Sequence, residues 1–199
     1  MGVTRTYRYS GKNLTKELQR LQSYLELMQA QEKGNWNVNV SVMYHKNLDA
    51  NPCSLLLVSL PLSQIVVLRS LKEETSYKIM QGDMNLSSFI ENIQCFKVRQ
   101  QFNINGKEYE LGDFKIRFGL AFVGSETRYL VAEIEFAGIK YLSYGRPSIS
   151  EFIGYLDPKA KLNEIVIEYH QKFEMDSENF TPKHSAIDML LALNCLNIR

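Results

Sequence analysis

Alternating apolar and polar residues predict a β-hairpin over residues 114–136. With the loop placed at 123–127, where Gly124 supplies the turn, one face of the hairpin is apolar throughout. The opposing pairs on that face are Phe114 with Phe136, Ile116 with Ile134, Phe118 with Ala132, and Leu120 with Leu130. A slip of one residue would turn this apolar set to the other side of the sheet, so the pattern specifies the register.

The second face of the same hairpin carries opposite charges across from each other. In this register Lys115 faces Glu135, and Arg117 faces Glu133. The two carboxylates are also a candidate acid/base pair, but catalysis needs two carboxyl groups that face one substrate in different environments. We therefore interpret Glu133 and Glu135 as members of a charged ladder that is left in solvent.

Apolar residues at three- and four-residue spacing predict helices near both ends of the chain and in its middle. The first follows Asn13 as N-cap, another covers 148–156, and the last follows the Thr181 and Pro182 pair to the end of the chain. A short helix after Asn85 or Ser87 reaches residue 95. We expect it to turn three apolar side chains inward: Phe89, Ile90 and Ile93.

Further strands are predicted at 36–44, 54–60, 65–69 and 77–80. Asn105 and Gly106 give a strong hairpin signal between strands at 98–104 and 107–111, so residues 97–136 indicate an antiparallel meander. Residues 162–173 are ambiguous. We expect one domain, 1–199, of the α+β class: an antiparallel β-sheet closing into a barrel, flanked by N-terminal, middle and C-terminal helices.

Net charge limits the partners. The 199 residues carry a formal charge of +1, which provides no broad field for a polyanion. The densest basic patch, with Tyr7 and Tyr9 interleaved, is a candidate phosphate surface, although a solvated strand and helix face explains it better. Its members are Arg5, Arg8, Lys12, Lys16 and Arg20.

Candidate chemistry is sparse. The cysteines have no metal-ligand or disulfide spacing, and the histidines have no HxxxH or HExxH spacing. These residues are Cys53, Cys95, Cys195, His45, His170 and His184. Phosphate-binding glycine motifs and a nucleophile elbow are absent as well. We predict no catalytic, cofactor or metal site, while an enzyme whose site is dispersed along the chain stays an alternative.

Membrane contact is not expected, because no apolar run approaches the roughly 18 residues of a membrane span. Three scattered cysteines fit a reducing, intracellular compartment.

A protein interface is the more concrete hypothesis. Tyr141, Tyr144 and Arg146 fall in the predicted connection at 138–148, where nothing in the pattern buries them. These residue types commonly anchor interfaces, although packing on their own domain is the alternative.

Several collinear features resemble the family of Mediator complex subunit 20. The segment Met1 to Thr4 and the helix at 150–156 take part, and the remaining features are Tyr109, Asp113, Phe114, Ile116, Arg117, Phe118, Gly119, Val131, Glu133, Glu135, Ala186, Asp188 and Met189. The resemblance covers mainly residues 1–30 and 105–199, about half of the chain. The strongest support for it is that these features occur in the same order along the sequence as in the family.

The resemblance implies a nonenzymatic, nuclear subunit of the Mediator head module, which bridges regulators and RNA polymerase II. It also implies an antiparallel β-barrel fold, a direct pair with subunit 18, and a tether to the head through subunit 8. The family is distantly like the TATA-binding protein, which uses a basic concave sheet and aromatic wedges on DNA. A nucleic-acid-binding module is thus a further alternative, but the near-neutral charge of this chain argues against direct DNA contact.

Overall fold

The protein is built from one long antiparallel sheet and a set of helices. The computed structural model describes residues 2–9, 11–72, 77–157, 162–164 and 173–196. Its strands are β1 (Val3–Tyr9), β2 (Gln31–His45), β3 (Cys53–Leu60), β4 (Ser63–Ser70), β5 (Tyr77–Gly82), β6 (Phe96–Leu111), β7 (Phe114–Val123), β8 (Glu126–Phe136) and β9 (Leu162–Glu164). Its helices are α1 (Leu14–Leu27), α2 (Leu86–Ile93), α3 (Leu142–Leu156) and α4 (Pro182–Ala192).

The sheet has the strand order β5-β4-β3-β2-β6-β7-β8-β1-β9, and each neighbouring pair is antiparallel. The predicted α+β class is confirmed. Helix α4 contacts β1 near one edge of the sheet and β3, β4 and β5 near the other, so the sheet curls around this helix.

The predicted barrel is wrong, because the sheet formed by the described residues stays open, with β5 and β9 at its edges. Helix α4 fills the hollow instead of flanking the sheet, and its side chains are buried on nearly every side. Because α4 is apolar on most sides, it can pack against the inner face of the sheet and bury that face. The strands therefore do not need to close into a barrel to bury it.

The hairpin of β7 and β8 has the predicted register. Phe114 lies opposite Phe136, Lys115 opposite Glu135, and Arg117 opposite Glu133. The connection is tighter than the predicted loop at 123–127, because β8 already begins at residue 126. A bulge after Ala121 takes up the extra residue, and Gly124 has the positive φ, 59°, that the turn requires.

The predicted hairpin at Asn105 and Gly106 is wrong. Strand β6 runs through both residues and pairs with β2 and β7 on its two sides. Gly106 lies opposite Gly119, and a Cβ on it would come 1.9 Å from the carbonyl oxygen of Phe118. Glycine here allows two strands to approach closely, and the chain turns six residues later, at Gly112, whose φ is +57°.

Apolar side chains pack on both faces of the curled sheet. The inner core lies between the sheet and α4, and its larger members include Trp36, Phe102, Ile104, Met189 and Leu190. The outer core lies beneath α1 and α3, and includes Leu21, Leu25, Ile116, Phe118, Ile134 and Phe152. A smaller outer core of Met43, Leu55, Leu57, Val66 and Ile90 lies beneath α2.

The helices follow the sequence with three corrections, the first being that α4 ends at Ala192 and does not reach the end of the chain. Asn13 caps α1 as predicted, because its Oδ1 accepts from the Lys16 amide at 3.3 Å. Helix α2 forms, but Ile90 alone of its three predicted inward residues is buried, while Phe89 and Ile93 are exposed. Helix α3 begins at Leu142, six residues before the predicted start, because its early turns pack closely on β1.

Residues 162–164 form β9 at the edge of the sheet, next to β1. The rest of the ambiguous segment up to residue 172, His170 included, lies outside the described residues. None of the helices in the described ranges is both long and apolar enough to cross a bilayer.

Candidate functional site: a charged cleft beside a tyrosine surface

The charged face of the β7 and β8 hairpin is buried, so the expectation of a solvated ladder is wrong. Glu133 is 4% exposed and Glu135 is 5% exposed. The apolar face of the hairpin packs outward beneath α1 and α3, which turns the charged face toward α4 inside the curl. The sequence therefore predicted the pairing correctly and the solvent exposure incorrectly.

Arg117 is the centre of this buried network. Its guanidinium donates from Nε to Glu108, from Nη1 to Glu133 at 2.7 Å, and from Nη2 to Glu135 at 2.9 Å. Burial by itself would lower the pKa of Arg117, but the negative charges of Glu133, Glu108 and Glu135 outweigh burial and raise the pKa above its ordinary value. Arg117 is therefore charged at every physiological pH.

The remaining carboxylate oxygens have donors from distant parts of the chain. The Gly2 amide donates to Glu135 Oε1 at 2.6 Å, and the Ser185 hydroxyl donates to Glu133 Oε2 at 2.9 Å. The network thus joins β6, β7, β8, α4 and the residue that precedes β1. Glu133 and Glu135 thus accept two hydrogen bonds each, and buried charges need such partners.

A cleft of about 310 Å³ opens above the network. We call it the charged cleft. Its floor consists of Lys115, Arg117, Glu133, Glu135 and Ser185. Its rim is mainly apolar and consists of Leu60, Pro61, Leu62, Ser63, Gln81 and Pro182. Leu62, in the turn between β3 and β4, is 93% exposed.

The tyrosine surface is the second feature of this end of the molecule. Tyr141 and Tyr144 are 55% and 69% exposed, and their rings meet edge to face with centroids 6.4 Å apart. They line a hollow of about 380 Å³ together with residues 138–140 and Asn179. The structure therefore brings together the two tyrosines that sequence reasoning selected.

Arg146, the third residue selected from the sequence, is placed differently. It is half-buried, and its Nε and Nη2 atoms are inaccessible to solvent. The positive charge of Arg146 lowers the pKa of the buried His184. The guanidinium thus belongs to the packing between α3 and the start of α4, and the tyrosine surface is defined by Tyr141 and Tyr144.

The charged cleft and the tyrosine surface are neighbours, because a short segment borders both. Asn179 lines the tyrosine hollow, and Pro182 lines the cleft three residues later. The Phe180 amide also donates to the Lys140 carbonyl at 2.7 Å, which fixes this segment against the start of α3. Both features therefore lie at the end of the sheet where α4 begins.

His184 has a structural role at that point. Its Nδ1 accepts from the Thr181 amide at 3.1 Å, and its Nε2 lies 2.9 Å from the Asp176 carbonyl, to which it donates. This confirms Thr181 as the N-cap and Pro182 as the first residue of α4. The tautomer with hydrogen on Nε2 completes both contacts, so the cap requires neutral histidine.

Lowering the pH is expected to destabilise this cap. Burial, followed by the nearby charge of Arg146, holds the pKa of His184 below its ordinary value of 6.5. The unfolded chain therefore binds the proton more tightly, and the free energy of unfolding falls as pH drops below 6.5 and through the lower folded-state pKa. Urea unfolding should show that the free energy of unfolding falls more between pH 8 and pH 5.5 for wild type than for His184→Gln.

The half-buried His45, which lies outside the cap, supplies the matched control for this experiment. His45→Gln makes the same chemical change and leaves the contacts of His184 with Thr181 and Asp176 in place. An equal pH dependence in wild type and His184→Gln would contradict the assignment of the effect to the cap.

The other candidate chemical groups are dispersed. His45 lies at the end of β2, edge-on to Phe96 with ring centroids 5.6 Å apart. Burial raises the pKa of Cys195 to about 12 and also raises that of Cys53, so both thiols are protonated at neutral pH. Across the described residues, no three His, Cys, Asp or Glu side chains come together as a metal site.

The basic residues near the N-terminus do not form one surface. Arg5 is buried on the outer side of β1. Arg20 forms ion pairs with Glu17 and with Asp157 at 2.8 Å. Arg8 instead donates to the Ala192 carbonyl at the end of α4. The candidate phosphate surface is therefore divided between different faces of the molecule.

The fold and these surfaces define an α+β protein whose open, curled antiparallel sheet encloses a helix and presents an aromatic contact surface at one end. The chain belongs to the Med20 family, described as TATA-binding related factor (TRF) of subunit 20 of Mediator complex, whose model matches residues 1–189. The resemblance seen in the sequence is confirmed.

A curated relative supports the same family. Mediator of RNA polymerase II transcription subunit 20b of Arabidopsis thaliana is 28% identical over 116 residues, which cover 55% of this chain and 53% of that protein. The match therefore spans about half the length of this relative.

Two solved structures are similar to this chain at low identity. A chain of the Schizosaccharomyces pombe Mediator head module has a TM-score of 0.43 and 12% identity, with 82% of this chain and 97% of that chain covered. A Hippeastrum protein, the putative adenylyl cyclase HpAC1 with a dominant triphosphatase activity, has a TM-score of 0.47 and 12% identity, with 90% and 100% covered. Likeness at this level carries no functional information.

Proposed function

We propose that this protein is a nonenzymatic subunit of the Mediator head module that pairs directly with subunit 18. In this role it works in the nucleus, contacts subunit 8 and other head subunits, and helps transmit regulatory input to RNA polymerase II. The observation that supports the proposal most strongly is the family match over residues 1–189.

The chemistry of the candidate groups supports a nonenzymatic role. Glu133 and Glu135 are both hydrogen-bonded to Arg117, so neither is a free acid or base facing a substrate. His184 is committed to the cap of α4. These groups stabilise the fold, which leaves protein contact as the function that the exposed surfaces favour.

The tyrosine surface is the site that we propose for subunit 18. Two large aromatic side chains stand beside each other in water, although burying each would remove a substantial apolar area from solvent. Tyrosine is enriched among residues that dominate binding energy, because it combines apolar area with a polar tip and few rotatable bonds. The hollow beside the rings provides the concave surface that a partner side chain can enter.

Replacing Tyr141 and Tyr144 together by alanine is expected to weaken binding to purified subunit 18 by about 10- to 100-fold, since each central aromatic anchor contributes roughly 1 to 2 kcal/mol. Isothermal titration calorimetry measures the affinity, and circular dichroism confirms that the variant is folded. Arg146 is left unchanged, because its buried guanidinium atoms make a folding defect the expected result of truncation.

Tyr155→Ala provides the matched control. Tyr155 is 65% exposed near the other end of the same helix, α3, so its truncation removes a similar ring from outside the tyrosine surface. Its affinity for subunit 18 should equal that of wild type. A folded double variant with unchanged affinity would remove the tyrosine surface from the proposal, and a wild-type chain that does not bind subunit 18 would refute the pairing itself.

A further inference from the structure

Another concave surface lies at the end of α4 that is opposite the tyrosine surface. It encloses about 510 Å³ between the end of β1, the start of α1 and the start of β8. Arg8 in this hollow reaches the end of α4, about 16 Å along the helix from its start at Pro182. We call it the basic hollow, and its lining includes Arg8, Tyr9, Gly11, Lys12, Arg128 and Tyr129.

The basic hollow has a clear sign of charge. The described residues that line it carry three positive charges and no negative one, from Arg8, Lys12 and Arg128. Glu126 pairs with Arg128 at 2.7 Å from outside the lining, and the sum that includes this carboxylate is still +2. The whole chain carries only +1, so the hollow concentrates positive charge in one place. Charge complementarity therefore selects an anionic guest over a cationic or neutral one.

The cations have donors left for such a guest. Lys12 is exposed and forms no hydrogen bond or ion pair within the described part of the chain. Arg8 is fixed in place, because its Nη1 donates to the Ala192 carbonyl at 3.2 Å and to the Asn194 side chain. No described residue accepts from its Nε or Nη2. Guanidinium and ammonium groups that are available in this way can donate to the carboxylates of aspartate or glutamate.

The aromatic rings of the hollow favour an acidic peptide over a nucleic acid. Single-stranded nucleic acid binds without sequence preference by stacking its bases on aromatic side chains. Here Arg8 lies over Tyr129, 5.7 Å from the ring centroid, and Phe102 stacks on the same ring at 6.4 Å. Gly11 packs against Tyr9, since a Cβ on this glycine would lie 2.2 Å from Tyr9 Cζ. Both rings are thus engaged by the chain's own groups, while the cations stay accessible.

We propose that the basic hollow binds an acidic segment of a partner protein, with aspartate or glutamate side chains close together in sequence. The carboxylates of this segment accept hydrogen bonds from Arg8, Lys12 and Arg128. The inference does not depend on subunit 18, because the basic hollow and the tyrosine surface lie at opposite ends of α4.

Titration of the full chain with short probes tests the proposal. The probes are N-acetyl-hexaglutamate amide, its neutral counterpart N-acetyl-hexaglutamine amide, and a single-stranded oligonucleotide of thymidines of the same length. The NMR signal of the Gly11 amide reports on the hollow, because Gly11 lies in its lining. The hexaglutamate should shift this signal and bind about tenfold more tightly than either other probe, which corresponds to a few exposed ion-pair interactions.

The double variant Lys12→Gln with Arg128→Gln tests the position of the site. Each exposed cation is expected to contribute about threefold, so the hexaglutamate should bind this variant about tenfold more weakly. The matched control is Lys107→Gln with Lys140→Gln, which removes as many positive charges outside the hollow. Lys107 forms an exposed ion pair as Arg128 does, and Lys140 is exposed as Lys12 is. The control should bind the hexaglutamate as wild type does.

The outcomes separate this proposal from its alternatives. No binding of the hexaglutamate, equal binding of the hexaglutamine, or a loss in the hollow variant no larger than in the control would reject an acidic guest at this surface. Equal or tighter binding of the oligonucleotide would assign the hollow to nucleic acid instead. Since no probe involves subunit 18, failure of the proposed pairing would leave these results unchanged.

Discussion

Arg117→Met is expected to destabilise the protein by about 3 to 5 kcal/mol, the cost of removing one partner from a buried ion network. The substitution keeps most of the apolar stem but leaves Glu108, Glu133 and Glu135 facing each other without a cation. Two of these carboxylates are almost completely buried, so each loses a charged hydrogen-bond donor where little solvent contact compensates for it. Urea unfolding monitored by circular dichroism measures the loss.

Two further variants separate charge from packing. Lys107→Met removes an exposed lysine that pairs with Glu32 at 2.7 Å, and it should change stability little. Adding Glu133→Gln and Glu135→Gln to Arg117→Met should recover part of the stability, because the neutral amides no longer repel each other. A loss for Arg117→Met as small as that for Lys107→Met would show that the network is not buried in solution.

The hairpin of β7 and β8 shows what sequence reasoning can establish. Its register followed from local alternation, and the structure reproduces each predicted pair. The local sequence did not show whether the charged face is buried, because the side-chain pairs on both faces were chemically consistent. Burial of each face depends on helices that are distant in the sequence. Helices α1 and α3 cover the apolar face, while the charged face is enclosed by α4, more than 45 residues further along the chain.

The same limit applies to α4. The apolar spacing predicted the helix, and a helix with such spacing commonly turns its polar residues to solvent. Ser185 and His184 are buried instead, because each has a specific partner: Ser185 donates to Glu133, and His184 completes the cap with Thr181. A polar residue opposite an apolar stripe is exposed to solvent only when the folded protein offers it no buried hydrogen-bond partner. Whether such a partner exists depends on the tertiary structure.

The candidate site was predictable in part. Residue type alone selected Tyr141 and Tyr144, and the structure exposes both. The charged cleft was missed, because Glu108 and Ser185 come from other elements and the Asn105 hairpin signal placed a turn where β6 is continuous. With β6 continuous, Glu108 falls opposite Arg117 on the neighbouring strand, so the error in topology concealed a member of the network.

Gly106→Ala is expected to destabilise the protein by about 4 kcal/mol or more, a loss typical of severe local conflicts in a packed structure. The new Cβ would lie 1.9 Å from the Phe118 carbonyl oxygen and 2.6 Å from the Gly119 Cα. Both are backbone atoms of β7, so relief requires the two strands to separate. Thermal and urea unfolding of the purified variant measure the effect.

Gly154→Ala is the control, because Gly154 lies within α3 and a Cβ on it would meet nothing within 4 Å. This variant should gain up to about 1 kcal/mol, since alanine is the better helix former. The size of the Gly106 effect also distinguishes two topologies. Replacing a glycine that has a positive φ in a hairpin turn lowers stability by only about 1 kcal/mol. A loss that small for Gly106→Ala would favour a turn at this position over the continuous β6. A loss of about 4 kcal/mol identifies close contact between two paired strands.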